Sequence, residues 1–397
     1  MKLFEKGELK LLWPFYLNCL FSALLYFAPI FYIVYFKSLN LSFFQIGIIM
    51  AIWPLSSVMF EIPTGAIADI YGRKFSHLLG LFLSAICYLT LFFIKDFYLI
   101  LVVFFFLGIA ATFSSGASEA WVTDLIKRKN QSLLHNYFIK ERIFYSAGGI
   151  ISGFIGAFVV KQMGVSIIWP FTAVAFLFSV LILFFGKERY IRKKPIIRNS
   201  FKELNIQTKN SLKYIFNHPV LFYFLIATLI VVFAGNFSGT LAWVPLLKSL
   251  NFPDYAFGYL WSAMTLMGVI APGLSKRFLK PTKEKQFLIF STVGIILSAI
   301  LIIFAFDKII AILLLLSSLF FFNFKSPVER IYFHKFIQNK LRATISSFQS
   351  MLFYIAALIA SPLMGYLIDL IGARYVILLS GLLTIPAIIF YLKIKEK

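Results

Sequence analysis

Long apolar runs broken by short polar turns recur along the whole chain, and no stretch keeps the period-two alternation of a half-buried strand. Twelve runs reach the roughly 20 residues that a helix needs to cross a bilayer core. They cover 10–36, 43–69, 75–95, 97–126, 137–160, 164–186, 219–247, 254–278, 286–306, 309–333, 342–369 and 373–393. The pattern predicts an all-α membrane protein with twelve transmembrane helices and argues against a β-barrel. One polar stretch is longer than the rest. Residues 187–218, KERYIRKKPIIRNSFKELNIQTKNSLKYIFNH, are basic and carry apolar positions at helical spacing. They separate the sixth run from the seventh. This predicts two six-helix halves, 1–186 and 219–397, joined by a linker that lies partly as an amphipathic helix on the membrane surface.

Composition agrees with this picture. The chain is 60% hydrophobic and 14% charged, well below the quarter that a soluble domain carries. The apolar run near the start is too long for a signal-peptide core and has no small-residue cleavage site after it, so it reads as the first span. Placing both termini in the cytoplasm puts Lys37, Lys95, Lys161, Lys248, Lys308 and Arg374 in the outer turns, one each. The remaining 32 of the 38 Lys and Arg then fall on inner loops, tails or helix ends, as the positive-inside rule requires. The net charge of +22 is thereby assigned to anionic lipid headgroups rather than to nucleic acid. Cys19 and Cys87 sit in apolar runs and read as packing residues.

The turn after the second run reads GAIADIYGRK, Gly65 to Lys74. Gly65 offers close helix approach, and Gly72 a tight turn. Arg73 and Lys74 suit headgroup anchoring. A stop-anchor accounts for the two basic residues but not for Asp69, Gly65 or Gly72. The pattern Gly-x-x-Ala-Asp-x-x-Gly-Arg-Lys between spans two and three resembles the signature loop of the major facilitator superfamily. The wider FEIPTGAIADIYGRK, with SSGASEAWVTDLIK at 114–127, resembles a large prokaryotic group within it. The resemblance implies a gate. Asp69 would dock the first half against the eleventh span, and Arg73 would pair with Asp124 at the inner end of the fourth. GYLIDLIGAR, Gly365 to Arg374, echoes the motif between spans eleven and twelve, on the outer side. Inverted repeats place related turns on opposite faces, which makes Asp369 an outer-rim counterpart of Asp69.

Ionisable residues inside spans are costly to bury and mark candidate sites. Glu61 in the second span and Glu119 in the fourth are candidate coupling carboxylates, with protons as the candidate ion. The alternative is structural pairing with Arg142 or another inner-rim base. In the tenth span, Lys325 and Glu329 are four apart and share a face, next to Arg330, while Pro327 permits a kink. Mid-depth positions are nearly uncharged and include Asn18, Tyr26, Trp53, Tyr88, Asn236, Trp261 and Asn323. No mid-depth arginine awaits a phosphate. A neutral or amphipathic substrate follows.

Gly149 and Gly153 form a Gly-x-x-x-Gly pair. It resembles the glycine-rich fifth span of proton-driven exporters, although their Gly-Pro dipeptide is absent. Phe104 stands where many drug exporters carry an intramembrane arginine. No Walker loop, metal-ligand spacing or cofactor motif is present. The reading is a multi-pass plasma-membrane transporter, not an enzyme, exporting a small neutral or amphipathic molecule by alternating access. Import of a neutral nutrient is the alternative; a membrane sensor or a membrane-embedded enzyme is more remote. A monomer suffices for this architecture.

Overall fold

The structure, a computed structural model, describes residues 4–5, 7–127, 133–188, 214–279, 283–337 and 341–394, with backbone alone at 342–344 and 347. Most of the expected linker, and its surface helix, lies outside the described residues. Among those described, twelve helical segments are long and apolar enough to cross a membrane. In order they are Glu8–Ser38, Phe43–Tyr71, Arg73–Phe93, Phe97–Lys127, Leu133–Met163, Val165–Phe184, Pro219–Ser249, Asp254–Phe278, Glu284–Phe304, Lys308–Lys335, Phe348–Ile371 and Ala373–Lys393.

Three spans expected to run unbroken are interrupted. The first divides into Glu8–Leu24 and Ala28–Ser38, the second piece opening with Pro29 in its first turn. A proline is tolerated there because its missing N–H would have no intrahelical partner. The Ala28 N–H donates instead to Thr172 Oγ1 of the sixth span at 3.0 Å. The fourth span divides into Phe97–Ser114 and Ala117–Lys127, around Gly116 at φ 66°. The seventh divides into Pro219–Asn236 and Thr240–Ser249. Hydropathy averages over such breaks, since each is only two or three residues long and its flanks remain apolar.

The chain packs as two units. One contains Met1–Leu39, Ile52–Pro195 and Asp254–Thr265; the other contains Asn40–Ala51, Ile196–Pro253 and Leu266–Lys397. Each therefore takes in a short piece from the first part of a span that belongs, by sequence, to the opposite half. In the first unit, span three packs on four and six, and span one on five and six. In the second unit, span nine packs on ten and twelve, and span seven on eleven and twelve. The second set is the first with six added to every number.

Small residues make the transferred pieces possible. A Cβ on Gly153 would lie 2.2 Å from the Gly258 carbonyl oxygen, and one on Gly258 would lie 2.3 Å from that of Gly153. Ser262 Oγ donates to the Ile150 carbonyl at 2.6 Å across the same crossing. In the other unit, a Cβ on Gly47 would sit 2.4 Å from the Ser361 carbonyl oxygen, and one on Gly365 would sit 2.1 Å from that of Phe43. Main chains in contact at this spacing exclude every larger side chain.

Candidate functional site

The turn that ends the second span is built on Gly72. Its φ of 104° and ψ of 152° lie in a region essentially open only to glycine. Its N–H donates to the Ala68 carbonyl and closes the preceding helix. Gly372, in the echo motif, has φ 84° and ψ 156°, and its N–H donates to the Ile368 carbonyl in the same way. The two turns share sequence and backbone geometry. A Cβ at Gly65 would meet no described atom within 4 Å, so the close helix approach expected there is not seen.

Arg73 and Lys74 are turned against the protein rather than toward headgroups. The Arg73 guanidinium donates to the Ala120 carbonyl at 2.9 Å and pairs with Asp124 at 2.5 Å. That pair is partly exposed, so the bond to the main chain matters as much as the charge. Lys74 Nζ donates to the carbonyls of Phe184 and Gly186 at 2.6 and 2.7 Å. These are unsatisfied acceptors at the end of the sixth span, where a cation is favoured. Glu188 in turn accepts from the Lys74 N–H at 2.9 Å, at the start of span three.

Asp369 makes the best-defined contact of the predicted gate residues. Its two carboxylate oxygens accept from the Phe43 and Phe44 N–H groups, at 3.1 and 2.8 Å. A carboxylate here satisfies two orphan donors and sits at the positive end of the second-span helix. The ring of Tyr366 meets that of Phe44 at 6.2 Å, beside it. Arg374 Nη2 donates to the Ala305 carbonyl at 2.8 Å, as Arg73 does to Ala120. The Asp69 side chain is exposed at the other end of the second span. Its expected dock falls at the start of the eleventh span, where side chains 342–344 lie outside the described residues.

The structure brings Glu61 to the break in the fourth span, where Ser115 Oγ donates to Glu61 Oε1 at 3.2 Å. Glu119 lies in the first turn of the helix beyond that break, a position that the helix dipole favours for an acid. Neither carboxylate forms an ion pair within 4 Å among the described residues, so the pairing with Arg142 is not seen. Lys325 Nζ meets Glu329 at 3.1 Å and is 1% exposed. The helix runs unbroken through Pro327 to Lys335, so the pair lies within a continuous helix. Arg330 is exposed.

The mid-depth residues do not converge on one point. Tyr26 and Tyr88 meet through their hydroxyls at 3.1 Å, within an aromatic group that includes Phe176 and Trp169. Asn236 and Asn323 each donate to a carbonyl one turn back, Val232 and Leu319, at 2.8 Å. Asn18 Oδ1 is buried with no hydrogen-bond partner among the described residues. Trp53 is exposed, and its carbonyl accepts from Ser57 Oγ at 2.9 Å where Gly108 crosses.

Two features were not anticipated. Glu8 is 1% exposed, and Lys140 Nζ donates to both its oxygens at 2.6 and 2.8 Å. Tyr16 Oη adds a third bond at 2.6 Å. Glu8 reads in the sequence as a polar flank, and its partner stands 132 positions away. The second feature was visible. KSLN occurs at 37–40 and again at 248–251. Asn40 and Asn251 have φ of 59° and 58°. The same offset of 211 positions relates Gly47 to Gly258 and Lys74 to Lys285. Lys285 Nζ donates to the Leu392 and Ile394 carbonyls at 3.1 and 2.6 Å, the end of span twelve, as Lys74 does for span six.

The sequence profile of the Major Facilitator Superfamily matches residues 15–348. The uncharacterized MFS-type transporter YxaM of Bacillus subtilis is 24% identical over 399 residues, covering 93% of this chain and 92% of its own. The uncharacterized MFS-type transporter MJ1560 of Methanocaldococcus jannaschii is 26% identical over 181 residues, 45% of this chain and 44% of its own. The crystal structure of the nucleoside transporter NupG superposes with a TM-score of 0.72 at 15% identity, covering 97% of this chain and 98% of that one. A mutant of NupG gives 0.76 at 14% identity over 96% and 98%. Fold, span number and sequence profile agree: the chain is a multi-pass membrane protein and belongs to the Major Facilitator Superfamily of transporters.

Proposed function

We propose that the chain is a secondary transporter of the plasma membrane that exports a small neutral or amphipathic molecule by alternating access between two six-helix halves. The carrying observation is the pair of matched turns at Gly72 and Gly372, with Asp369 seated on the start of the second span. Asp369 must leave Phe43 and Phe44 for the outer side to open. The repeated span packing and the 211-residue offset support the two-half plan. Asp69, Arg73 and Asp124 are assigned the inner gate, and Glu61 and Glu119 the coupling of substrate to protons. Glu61, held by Ser115 at the break in the fourth span, and Glu119, with no ion-pair partner within 4 Å among the described residues, support that assignment.

A compound-sensitivity panel in an efflux-deficient bacterial host tests export, using wild type, Asp69→Asn and Glu119→Gln at matched membrane levels. Protection by wild type, lost in both variants, is the expected result. Equal sensitivity of all strains overturns it. The second reading is import of a neutral nutrient. It is favoured by the fold shared with a nucleoside transporter and by Asn236 and Asn323, whose amide oxygens remain available to a polar solute. Accumulation of labelled uridine by intact cells would select that reading.

A further inference from the structure

At one end of spans eight, nine and ten lies a cavity of about 500 Å³. Its walls are six phenylalanines: Phe278 on the eighth span, Phe287 and Phe290 on the ninth, and Phe320, Phe321 and Phe324 on the tenth. Phe287 and Phe324 form the floor, stacked with ring centres 4.6 Å apart and respectively 9% and 5% exposed. Phe278 and Phe290, more than 60% exposed, form the lips. Gly294 seats the wall, since a Cβ there would lie 2.4 Å from the Phe321 ring.

Among the described lining residues, Lys283 and Gln286 are the polar ones. The charges beside Lys283 are already engaged. Glu284 faces Lys335 at 3.5 Å, and Lys285 is bound to the carbonyls that end span twelve. Among the described residues Lys283 has no ion-pair partner. A slot of this size, apolar within and cationic at the rim, matches an amphiphile with a hydrocarbon chain and an anionic head. A polar solute would find no partner on the phenylalanine floor.

We infer that this cavity is a site for an anionic phospholipid of the cytoplasmic leaflet, with an acyl chain among the phenylalanines and the phosphate on Lys283 and Gln286. The stretch 276–285 around Lys283 also contains Lys276, Arg277, Lys280 and Lys285. That charge bias places it on the cytoplasmic side, where anionic headgroups lie at the depth of the rim. The assignment does not depend on the direction of transport.

Native mass spectrometry of the purified full-length protein tests it, with phosphatidylglycerol and phosphatidylcholine of identical chains. Wild type should retain phosphatidylglycerol about fivefold more strongly, the effect of one lysine near a charged headgroup. Lys283→Gln should remove that preference while chain-dependent retention remains. Gln286→Trp, which fills the mouth, should reduce retention of both lipids. Lys276→Gln, in the last turn of span eight, should leave the preference in place, and unchanged melting temperatures show that each variant is folded. Equal retention of the two lipids by wild type, or an intact preference in Lys283→Gln, overturns the site. Efficient displacement of the phospholipid by dodecyl phosphate, together with loss of dodecyl phosphate export in Gln286→Trp, would make the cavity a substrate port and overturn the lipid assignment.

Discussion

Asp369 does at one turn what a hydrophobic side chain cannot: it accepts from two main-chain N–H groups that the start of a helix leaves unpaired. Removing such a cap costs about 1 kcal/mol, a factor of about five in a conformational equilibrium. Asp369→Ala should raise maleimide labelling of a cysteine at Phe44 several-fold while the protein remains folded; unchanged labelling would detach Asp369 from gating. Glu8 is a different case. It is buried with Lys140, and losing one partner leaves the other charge stranded. Lys140→Met should therefore destabilise by about 3–5 kcal/mol, and Glu8→Met with Lys140→Met by much less. Thermal unfolding in detergent reads both. A double variant as unstable as the single would show that shape, not charge, sets the value of the site. The Arg73–Asp124 pair was expected from a resemblance carried by two short motifs, GAIADIYGRK and SSGASEAWVTDLIK. Glu8 was not, because nothing near it in sequence indicates Lys140.

At the scale of elements, glycine decides where helices turn and how closely they cross. Gly72 and Gly372 adopt backbone angles that side chains resist, whereas Gly65 is in an ordinary helix with open space around it. Gly72→Ala and Gly372→Ala should each cost about 1–3 kcal/mol, and Gly65→Ala should be neutral or slightly stabilising. Melting temperatures of the three variants separate conformational strain from a general dislike of substitution. Crossings follow the same logic. Gly108→Val would drive a side chain into Ser56 and the Trp53 carbonyl, and should abolish accumulation of folded protein. Gly149→Ala meets only Thr265 at 3.4 Å and should be tolerated. Size-exclusion profiles of the two distinguish them.

At the scale of the molecule, the repeat is the organising fact. Lys74 and Lys285 close the ends of spans six and twelve in the same manner, and the span pairings recur with six added. In the proposed cycle, two similar halves exchange which ends are in contact. Cysteines replacing Phe44 and Tyr366, whose rings are 6.2 Å apart, should cross-link under mild oxidation and stop transport, and reduction should restore it. Full transport by the cross-linked protein would show that this contact does not open during the cycle.

Hydropathy alone determined the twelve spans, because each must expose some 20 apolar residues to lipid whatever its neighbours are. Charge bias determined the orientation assigned to the loops, and a repeated local motif marked the two matched turns at Gly72 and Gly372. The breaks in spans one, four and seven were decided by tertiary structure: a helix can stop inside a membrane only where another part of the protein satisfies its backbone, as Thr172 does for Ala28. Tertiary structure likewise decided that Lys74 and Lys285 cap helix ends and that Glu8 meets Lys140. Those choices depend on which groups become neighbours after packing, and neither hydropathy nor local spacing records distance between residues far apart in the chain.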